Sequence, residues 1–207
     1  MATTRQVVAL GTDRCDDRSR MRGMDAQQEN FLRDDLFNCT VRGAFQRAHV
    51  YKAGAEENGK ENFRRALRSS LEQLEAQYRE PVNDEDHIRN IETLSRELSA
   101  DHAEVLVDGR FRIGIAQKAL NLYLKYLWCI GKVSTPPHCP FDAHIIGELP
   151  DVSDNWTRMD SLERYRKWVS AAKEKAGPTS LARWELEIFP RLFQDRSVDV
   201  SGTHSDV

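Results

Sequence analysis

Residues 109–146 read GRFRIGIAQKALNLYLKYLWCIGKVSTPPHCPFDAHII, and the interpretation of the whole chain starts from this stretch. It carries five basic residues and no acidic residue before Asp142, although the chain as a whole has a net charge of −3. From about Ile115 to Cys129 most positions are apolar, and the polar residues recur at steps of three and four. The pattern predicts a mostly buried helix with one polar seam, which consists of Gln117, Lys118, Asn121 and Lys125.

Lys118 lies within the first turn of this predicted helix, and its side chain is expected to reach solvent along the polar seam. A helix N terminus carries roughly half a positive charge, and apolar surroundings also disfavour an ammonium ion. Both effects favour the neutral amine, which is a nucleophile. The sequence therefore predicts a reactive lysine. The alternative is a lysine whose stem is buried while its charge reaches solvent.

Asp142 follows Pro140 and precedes a short apolar segment, which is typical of a helix N-cap. A helix of about 15 residues carries the chain roughly 22 Å away from Lys118. The following segment, Ile130 to Phe141, is rich in Pro and Gly, and as extended chain it spans more than about 30 Å. This is long enough for the return, so we expect the carboxylate of Asp142 to meet the amine of Lys118.

The pentapeptide from Gly114 to Lys118 is similar to the Gly-hydrophobic-Gly-x-Lys hairpin of the helix-hairpin-helix base-excision DNA glycosylases (the HhH-GPD superfamily). The hexapeptide from Pro140 to Ile145 is similar to their Pro-hydrophobic-Asp-x-His-hydrophobic motif. In that family the two motifs lie near the middle of an all-α protein and together form the catalytic centre. By this resemblance the chain is identified as a divergent member of the superfamily.

The resemblance implies a DNA glycosylase with associated lyase activity, which flips a damaged or modified base into a pocket and excises it. Lys118 would attack the sugar C1′, and Asp142 would stabilise the oxocarbenium ion, as carboxylates do in glycoside hydrolysis. The residues that would bind DNA, in part through backbone amides, are Arg110, Arg112, Gly114, Ala116, Gln117 and Lys125. The residues that would surround the flipped base are Phe111, Tyr123, Trp128, His144 and Trp156.

The rest of the sequence predicts further helices and no convincing strand. Apolar residues recur at helical steps from Met24 to Ala48, with a break near Asn38. Two later helices are expected at about 63–78 and at about 101–107. Three more are expected to begin at a capping residue: one at Asn83 or Asp84, one at Asp160 or Ser161, and the last at Ser180. The expected fold class is therefore all-α.

We expect one multi-helix globular domain over residues 24–194, with two lobes, a cleft between them and a central helix-hairpin-helix. Residues 1–23 are expected to form a flexible arm, and residues 195–207 a flexible tail. The chain of 207 residues is long enough to bury a substantial core.

Composition excludes several classes of protein. No apolar run reaches the length of about 18 residues that a membrane span needs, and the first residues lack the pattern of a secretory signal. The four cysteines are scattered without a Cys-x-x-Cys pair, so we expect free thiols in a cytoplasmic protein. No cysteine follows Cys139, so the four-cysteine iron–sulfur loop of some members of the superfamily that the chain resembles is absent, and we expect no cofactor or metal ion. The expected state is a monomer with DNA as its partner.

Simpler roles are open for several of these residues. Asp142 can act as a helix cap alone, and His144 fits a structural hydrogen-bonding residue better than a catalyst. Trp156, Trp168 and Trp184 fit a hydrophobic core. A zinc site drawn from Cys129, His138, Cys139 and Asp142 fits poorly, because the adjacent His and Cys have no second spaced pair.

Two rival functions remain open. One is a non-catalytic helical module that uses the same hairpin to bind DNA or a protein. The other is a ribonuclease of the helical HEPN class, because Arg42 with His49 and Arg96 with His102 fit its loose Arg-x(4–6)-His pattern. Such pairs arise by chance in a chain with 30 basic residues and 6 histidines.

Overall fold

The computed structural model describes residues 24–197, with side chains up to residue 189, and this part of the chain is all-α. Its only β pairing is an isolated bridge between Tyr51 and Leu106. The helices α1 to α7 are Ala26–Phe45, Glu57–Glu75, Asp84–His102, Ile113–Cys129, Ala143–Gly147, Leu162–Ala176 and Leu181–Ser197. Short 3₁₀ turns, Ala76–Arg79 and Val107–Gly109, follow α2 and precede α4.

Side-chain caps fix where three of the helices begin. The carboxamide oxygen of Asn83 accepts from the amide of Asp86 at 2.9 Å, which caps α3. Asp142 caps α5, and Ser161 caps α6 by accepting from an amide one turn later. These side chains satisfy amide donors that have no partner within their own helix. The predicted caps at these positions are confirmed.

Helix α4 lies in the core of the described chain. Fourteen of its 17 residues are buried, and it packs against α2, α3 and α6. Apolar side chains such as Ile115, Leu120 and Leu124 are at most 1% exposed. A helix that is apolar around most of its circumference must be covered on most sides. The residues of α4 are therefore held rigidly, and any site built on them inherits that rigidity.

Two aromatic clusters pack near the two ends of the central stretch. The rings of Phe63 and Phe111 have centroids 5.2 Å apart in an edge-to-face arrangement. The ring of Phe141 packs edge-on to Tyr165 at 5.7 Å and lies 6.0 Å from Trp168 of α6. Offset and edge-to-face aromatic pairs add to the stability gained from burial alone. The second cluster anchors the segment immediately before Asp142.

Several predicted boundaries differ from the structure. Helix α1 continues through Asn38 without the predicted break, because this side chain faces solvent and does not compete with the helix. The separate helix expected at about 101–107 does not form, since α3 continues to His102 and a turn with positive φ at Asp108 follows. Helix α7 extends to Ser197, beyond the expected domain end at residue 194.

The expected arm, residues 1–23, and residues 198–207 of the expected tail lie outside the described residues. Contacts within the chain divide it after Asp34, inside α1. Helices α2 to α7 therefore belong to one compact unit, and the predicted pair of lobes with a cleft stays a prediction.

Two sequence expectations concern membranes and thiols. Within residues 24–197, none of the helices combines the length and apolar character that crossing a bilayer requires. Cys39, Cys129 and Cys139 are all free thiols, as predicted, and Cys139 is buried. Cys15 lies outside the described residues.

Candidate active site

The amine of Lys118 and the carboxylate of Asp142 meet, as the length of the connecting chain predicts. Lys118 Nζ lies 3.1 Å from Asp142 Oδ2. The other carboxylate oxygen, Oδ1, accepts from the amides of His144 at 2.9 Å and Ile145 at 3.2 Å. The same aspartate therefore caps α5 with one oxygen and binds the lysine with the other.

The return of the chain to α4 is fixed by the side chain of Gln117. Its amide nitrogen donates to the carbonyl of Phe141 at 2.7 Å, and its oxygen accepts from the Phe141 amide at 3.2 Å. This two-point contact holds the residue immediately before Asp142 against the residue immediately before Lys118. Gln117 is fully buried, so the contact is shielded from competition with water.

The indole of Trp156 covers the lysine, with Lys118 Nζ 4.3 Å from the ring centroid. Trp156 belongs to the loop between α5 and α6, which packs on the start of α4. The amide of Gly114 donates to the carbonyl of Met159 in this loop at 2.9 Å. A cation close to an indole face is stabilised by the negative charge of the ring. Lys118 is left 8% exposed, and the Asp142 side chain 25% exposed.

The ionisation of the pair reflects burial and nearby charge. Burial lowers the pKa of Lys118 below its ordinary value of 10.5, against the opposing effect of Asp142. Arg47, in the turn after α1, lowers it further, while Glu185 of α7 raises it. Since Lys118 lies in the second turn of α4, burial rather than the helix terminus is the main cause. The amine therefore loses its proton more readily than that of an ordinary lysine.

Burial alone would raise the pKa of Asp142. The Lys118 ammonium and the hydrogen bond from the Ile145 amide outweigh this effect, and the pKa falls below the ordinary value of 3.8. Asp142 is therefore a stable carboxylate beside an amine that is easier to deprotonate. A carboxylate of this kind can stabilise positive charge that develops on a substrate.

The polar seam of α4 does not face solvent, contrary to the sequence prediction. Its four residues, Gln117, Lys118, Asn121 and Lys125, are all buried. Each has a polar partner on another segment. A buried polar group is tolerated when its hydrogen bonds are satisfied. The polar seam therefore joins α4 to other segments of the protein through buried hydrogen bonds and ion pairs.

Asn121 connects this polar seam to a buried histidine. Its oxygen lies 2.9 Å from His87 Nε2, and its nitrogen donates to Gln117 at 3.2 Å and to the Tyr165 hydroxyl at 3.3 Å. Since the Asn121 oxygen must accept, His87 Nε2 carries the hydrogen. His87 Nδ1 is then the acceptor for the hydroxyl of Tyr78 at 2.7 Å.

A second buried histidine, His138, packs against the first. The two rings have centroids 4.6 Å apart, and His138 Nδ1 lies 2.8 Å from the Tyr165 hydroxyl. His138 Nε2 lies 3.3 Å from Asp84 Oδ1, outside hydrogen-bond geometry. Burial lowers the pKa of both histidines, most strongly for His87. Both are therefore neutral at pH 7.

The predicted DNA-binding cations have carboxylate partners within the protein. Arg110 pairs with Asp160 at 3.1 Å, and Arg112 pairs with Asp108. The buried amine of Lys125 donates to Glu185 rather than facing a ligand. A phosphate would have to displace these carboxylates to use the arginines.

The first four amides of α4, which include the expected phosphate-binding amides of Gly114 and Ala116, also have partners within the protein. The amide of Ile113 donates to Asp160 Oδ1 at 3.0 Å, and that of Gly114 to Met159. The next two both donate to the carbonyl of Arg112. Gly114, Ala116 and Gln117 are buried, so in this structure they serve the fold instead of facing a ligand.

The predicted base-pocket residues fall into two groups. Trp156 lies over Lys118, and His144 Nδ1 lies 3.7 Å from Asp142, so both line the pair. The other three lie elsewhere. Phe111 is fully buried in the first aromatic cluster, and Tyr123 is buried with its hydroxyl on Glu75. Trp128, near the other end of α4, stacks with Arg183.

Sequence reasoning missed Arg47 and Glu185, which both affect the ionisation of Lys118. Arg47 is exposed and makes no hydrogen bond or ion pair with a described residue. Glu185 lies between Trp184 and Leu186 in the apolar stripe of α7 and is buried. A carboxylate at such a position indicates a buried charge that needs a partner, so the sequence could have identified it.

The groups behind the rival interpretations are separate from the pair. The Arg96 side chain pairs with Glu97, and the His102 ring packs on Phe63. Arg42 and His49 are exposed. Among the residues whose side chains are described, no group of three His, Cys, Asp or Glu is arranged to hold a metal ion.

Comparison with models of protein families, with curated proteins and with solved structures finds no match to this chain. The chemistry of the pair is therefore the basis for assigning a function. An amine with a lowered pKa beside a fixed carboxylate suits attack on an electrophilic carbon, with the carboxylate stabilising the positive charge that develops.

Proposed function

We propose that the protein is a DNA glycosylase with lyase activity that excises a damaged or modified base. The observation that carries the proposal is the contact of the buried Lys118 with the half-buried Asp142, with 3.1 Å between amine and carboxylate. Helices α3 and α4, with the connection between them, would form the helix-hairpin-helix. The motifs from Gly114 to Lys118 and from Pro140 to Ile145 support this assignment.

In the proposed reaction Lys118 loses a proton and its amine attacks C1′ of the target sugar. The bond from C1′ to the base breaks, and the base leaves with the bonding electrons and takes up a proton. Asp142 stabilises the positive charge on the sugar while this bond is breaking. Opening of the sugar ring gives a Schiff base with Lys118, from which the 3′ phosphate is eliminated.

In the proposal the substrate reaches the pair from the side of Trp156, which covers Lys118, and His144, which neighbours Asp142. In the proposal the indole moves aside and packs on the flipped nucleotide, because aromatic rings stack on any base. The exposed guanidinium of Arg47 would bind the adjacent phosphate. Arg110 and Arg112 are less suited to this role, because each would first have to leave its carboxylate partner.

The test uses DNA with an abasic site, whose aldehyde forms a Schiff base whatever base was lost. Borohydride should trap a covalent adduct, and Lys118→Ala should abolish it. Lys167→Ala removes an exposed lysine of α6 that pairs with Glu163, so it should leave trapping unchanged. On a panel of modified bases, Asp142→Asn should slow base release about 10²- to 10³-fold.

Two outcomes contradict the proposal. An adduct that persists in Lys118→Ala would assign the Schiff base to another amine. Base release undiminished in both Lys118→Ala and Asp142→Asn would falsify the role of the pair.

A second candidate function is a non-catalytic helical binding module, in which the contact of Lys118 with Asp142 only joins α4 to the cap of α5. It requires DNA binding that weakens steeply with salt and occurs without any adduct or base release. The trapping experiment therefore separates the two functions directly.

A further inference from the structure

A second buried ion pair lies on α4, beyond Lys118. The amine of Lys125 donates to Glu185 Oε1 of α7 at 2.7 Å and lies 4.6 Å from the centroid of the Phe189 ring. Glu185 is only 4% exposed, and its other oxygen, Oε2, is buried without a hydrogen-bond partner. Buried polar atoms almost always have a partner, so this oxygen requires an explanation.

The two lysines project from the same side of α4. Lys118 and Lys125 are seven residues apart, which is two helical turns and about 10 Å along the axis. Each binds one carboxylate from another segment. Charges at such a separation in a poorly solvated interior still influence each other. Consistently, Glu185 raises the pKa of Lys118, and Lys118 lowers that of Glu185.

The two carboxylates of this arrangement differ in their ionisation. Burial raises the pKa of Glu185 above the ordinary 4.5, despite the neighbouring Lys125 ammonium. The pKa of Asp142 is lowered instead, because the Lys118 ammonium and the hydrogen bond from the Ile145 amide stabilise its carboxylate. Glu185 is therefore the carboxylate that takes up a proton more readily.

We propose that Glu185 is a third ionisable residue of the Lys118–Asp142 site, a positioning residue that lies on the Lys125 side of the same face of α4 and acts on the Lys118 amine through its charge. This inference rests on the proposed function of that site. When Glu185 takes up a proton, one negative charge near Lys118 disappears and the ammonium becomes easier to deprotonate. The unpartnered Oε2 is the oxygen free to receive that proton.

The balance of charge around Lys118 comes from several segments. Arg47 in the turn after α1 opposes the ammonium form, while Asp142 and Glu185 favour it. The titratable and charged groups that face Glu185 itself are Lys125, Lys118, Asp142, Cys139 and Tyr126. Burial raises the pKa of Cys139 and of Tyr126, so both stay neutral at pH 7.

The test is the pH dependence of borohydride trapping on abasic-site DNA in Glu185→Gln. Glutamine keeps an oxygen that accepts from Lys125 but removes the charge. The pH at which trapping reaches half its maximum should fall by about 0.5–1 unit. Glu187→Gln, on the exposed side of the same helix, is the matched control and should leave the profile unchanged. A purely structural Glu185 predicts an unshifted profile, which would overturn the proposal.

An NMR titration separates this inference from the proposed function. The Lys118 ¹³Cε signal, assigned by its loss in Lys118→Arg, should titrate at lower pH in Glu185→Gln, with no DNA present. If no variant forms an adduct, the glycosylase proposal fails while the titration still decides the role of Glu185. Glu185→Met also removes the charge and gives the same readout if Glu185→Gln fails to fold. An unchanged midpoint of the Lys118 titration in a folded variant without the Glu185 charge would contradict the proposal.

Discussion

At position 114 there is no room for any side chain larger than hydrogen. A β-carbon there would meet the carbonyl oxygen of Trp156 well inside van der Waals contact, with Met159 O close behind. The obstacle is main chain, which cannot rotate away as a side chain can. Glycine therefore brings the loop that carries Trp156 directly against α4.

Gly114→Ala should destabilise the protein by about 1–3 kcal/mol, because the loop must move to make room for the methyl group. Gly147→Ala is the matched control, since nothing lies within 4 Å of a β-carbon at that helical position. It should be neutral or slightly stabilising, as alanine is favoured over glycine in a helix. Urea denaturation of both variants gives the comparison, and equal midpoints would contradict the packing described for Gly114.

Single residues were predictable where local chemistry decides their position. Asp142 follows a proline and precedes an apolar run, so its role as a cap could be read directly, and the chain length allowed its contact with Lys118. Gln117 was not predictable, because its partner is the main chain of a residue 24 positions away. A glutamine in a polar stripe has the same local pattern whether the stripe meets solvent or another segment.

At the scale of secondary structure, the site depends on how α4 holds the segment before α5. Gln117→Met keeps the side-chain volume but leaves the amide and carbonyl of Phe141 without partners. Each unsatisfied buried group costs about 1–3 kcal/mol, so the free energy of unfolding should fall by at least that amount. The amides of His144 and Ile145, which Asp142 caps, should exchange faster with deuterium.

Gln73→Met, on the exposed face of α2, is the control for the Gln117 substitution. It should change neither the stability nor the exchange of the α5 amides. Normal protection of His144 and Ile145 in Gln117→Met would show that Asp142 is positioned without the glutamine.

Helical periodicity was enough to predict most of the helices, because each buries one apolar stripe. It failed after α3. The residues near 101–107 include helix formers, but they lead into a turn with positive φ at Asp108. Burial of Val105 and Leu106 in the core favours the turn over a further helix. The helical pattern of α7 marks Glu185 as a buried position, but it does not identify the partner, Lys125, which lies 60 residues away in the sequence.

At the scale of the whole molecule, the buried histidines link stability to pH. The unfolded chain binds protons at His87 and His138 near pH 6.5, whereas burial lowers the pKa of both in the folded protein. The unfolded state therefore binds more protons below this pH, and the folded state loses stability as the pH falls. Between pH 7.5 and 5.5 the loss should reach about 1–3 kcal/mol by urea denaturation.

Glu185 acts in the opposite sense, because its raised pKa favours the folded state as the pH falls. Urea denaturation of Glu185→Gln removes this contribution, so the free energy of unfolding should fall more steeply between pH 7.5 and 5.5 than in the wild-type protein. NMR gives a direct check, since the His87 ring should remain neutral well below pH 6.5 and the His138 ring should take up its proton at a lower pH than an ordinary histidine. Titration of both rings near pH 6.5 would contradict the burial described here.

The indole over Lys118 makes the tryptophan an optical reporter of its own surroundings. In the proposed reaction a sugar would reach the amine only after the ring has swung away, so binding would select a minority open form and be weakened by the population of the closed one. The same movement takes Trp156 from a dry, cationic environment into contact with water or a ligand. In a variant in which Trp128, Trp168 and Trp184 are replaced by phenylalanine, the fluorescence of Trp156 would then follow opening in real time, without any label.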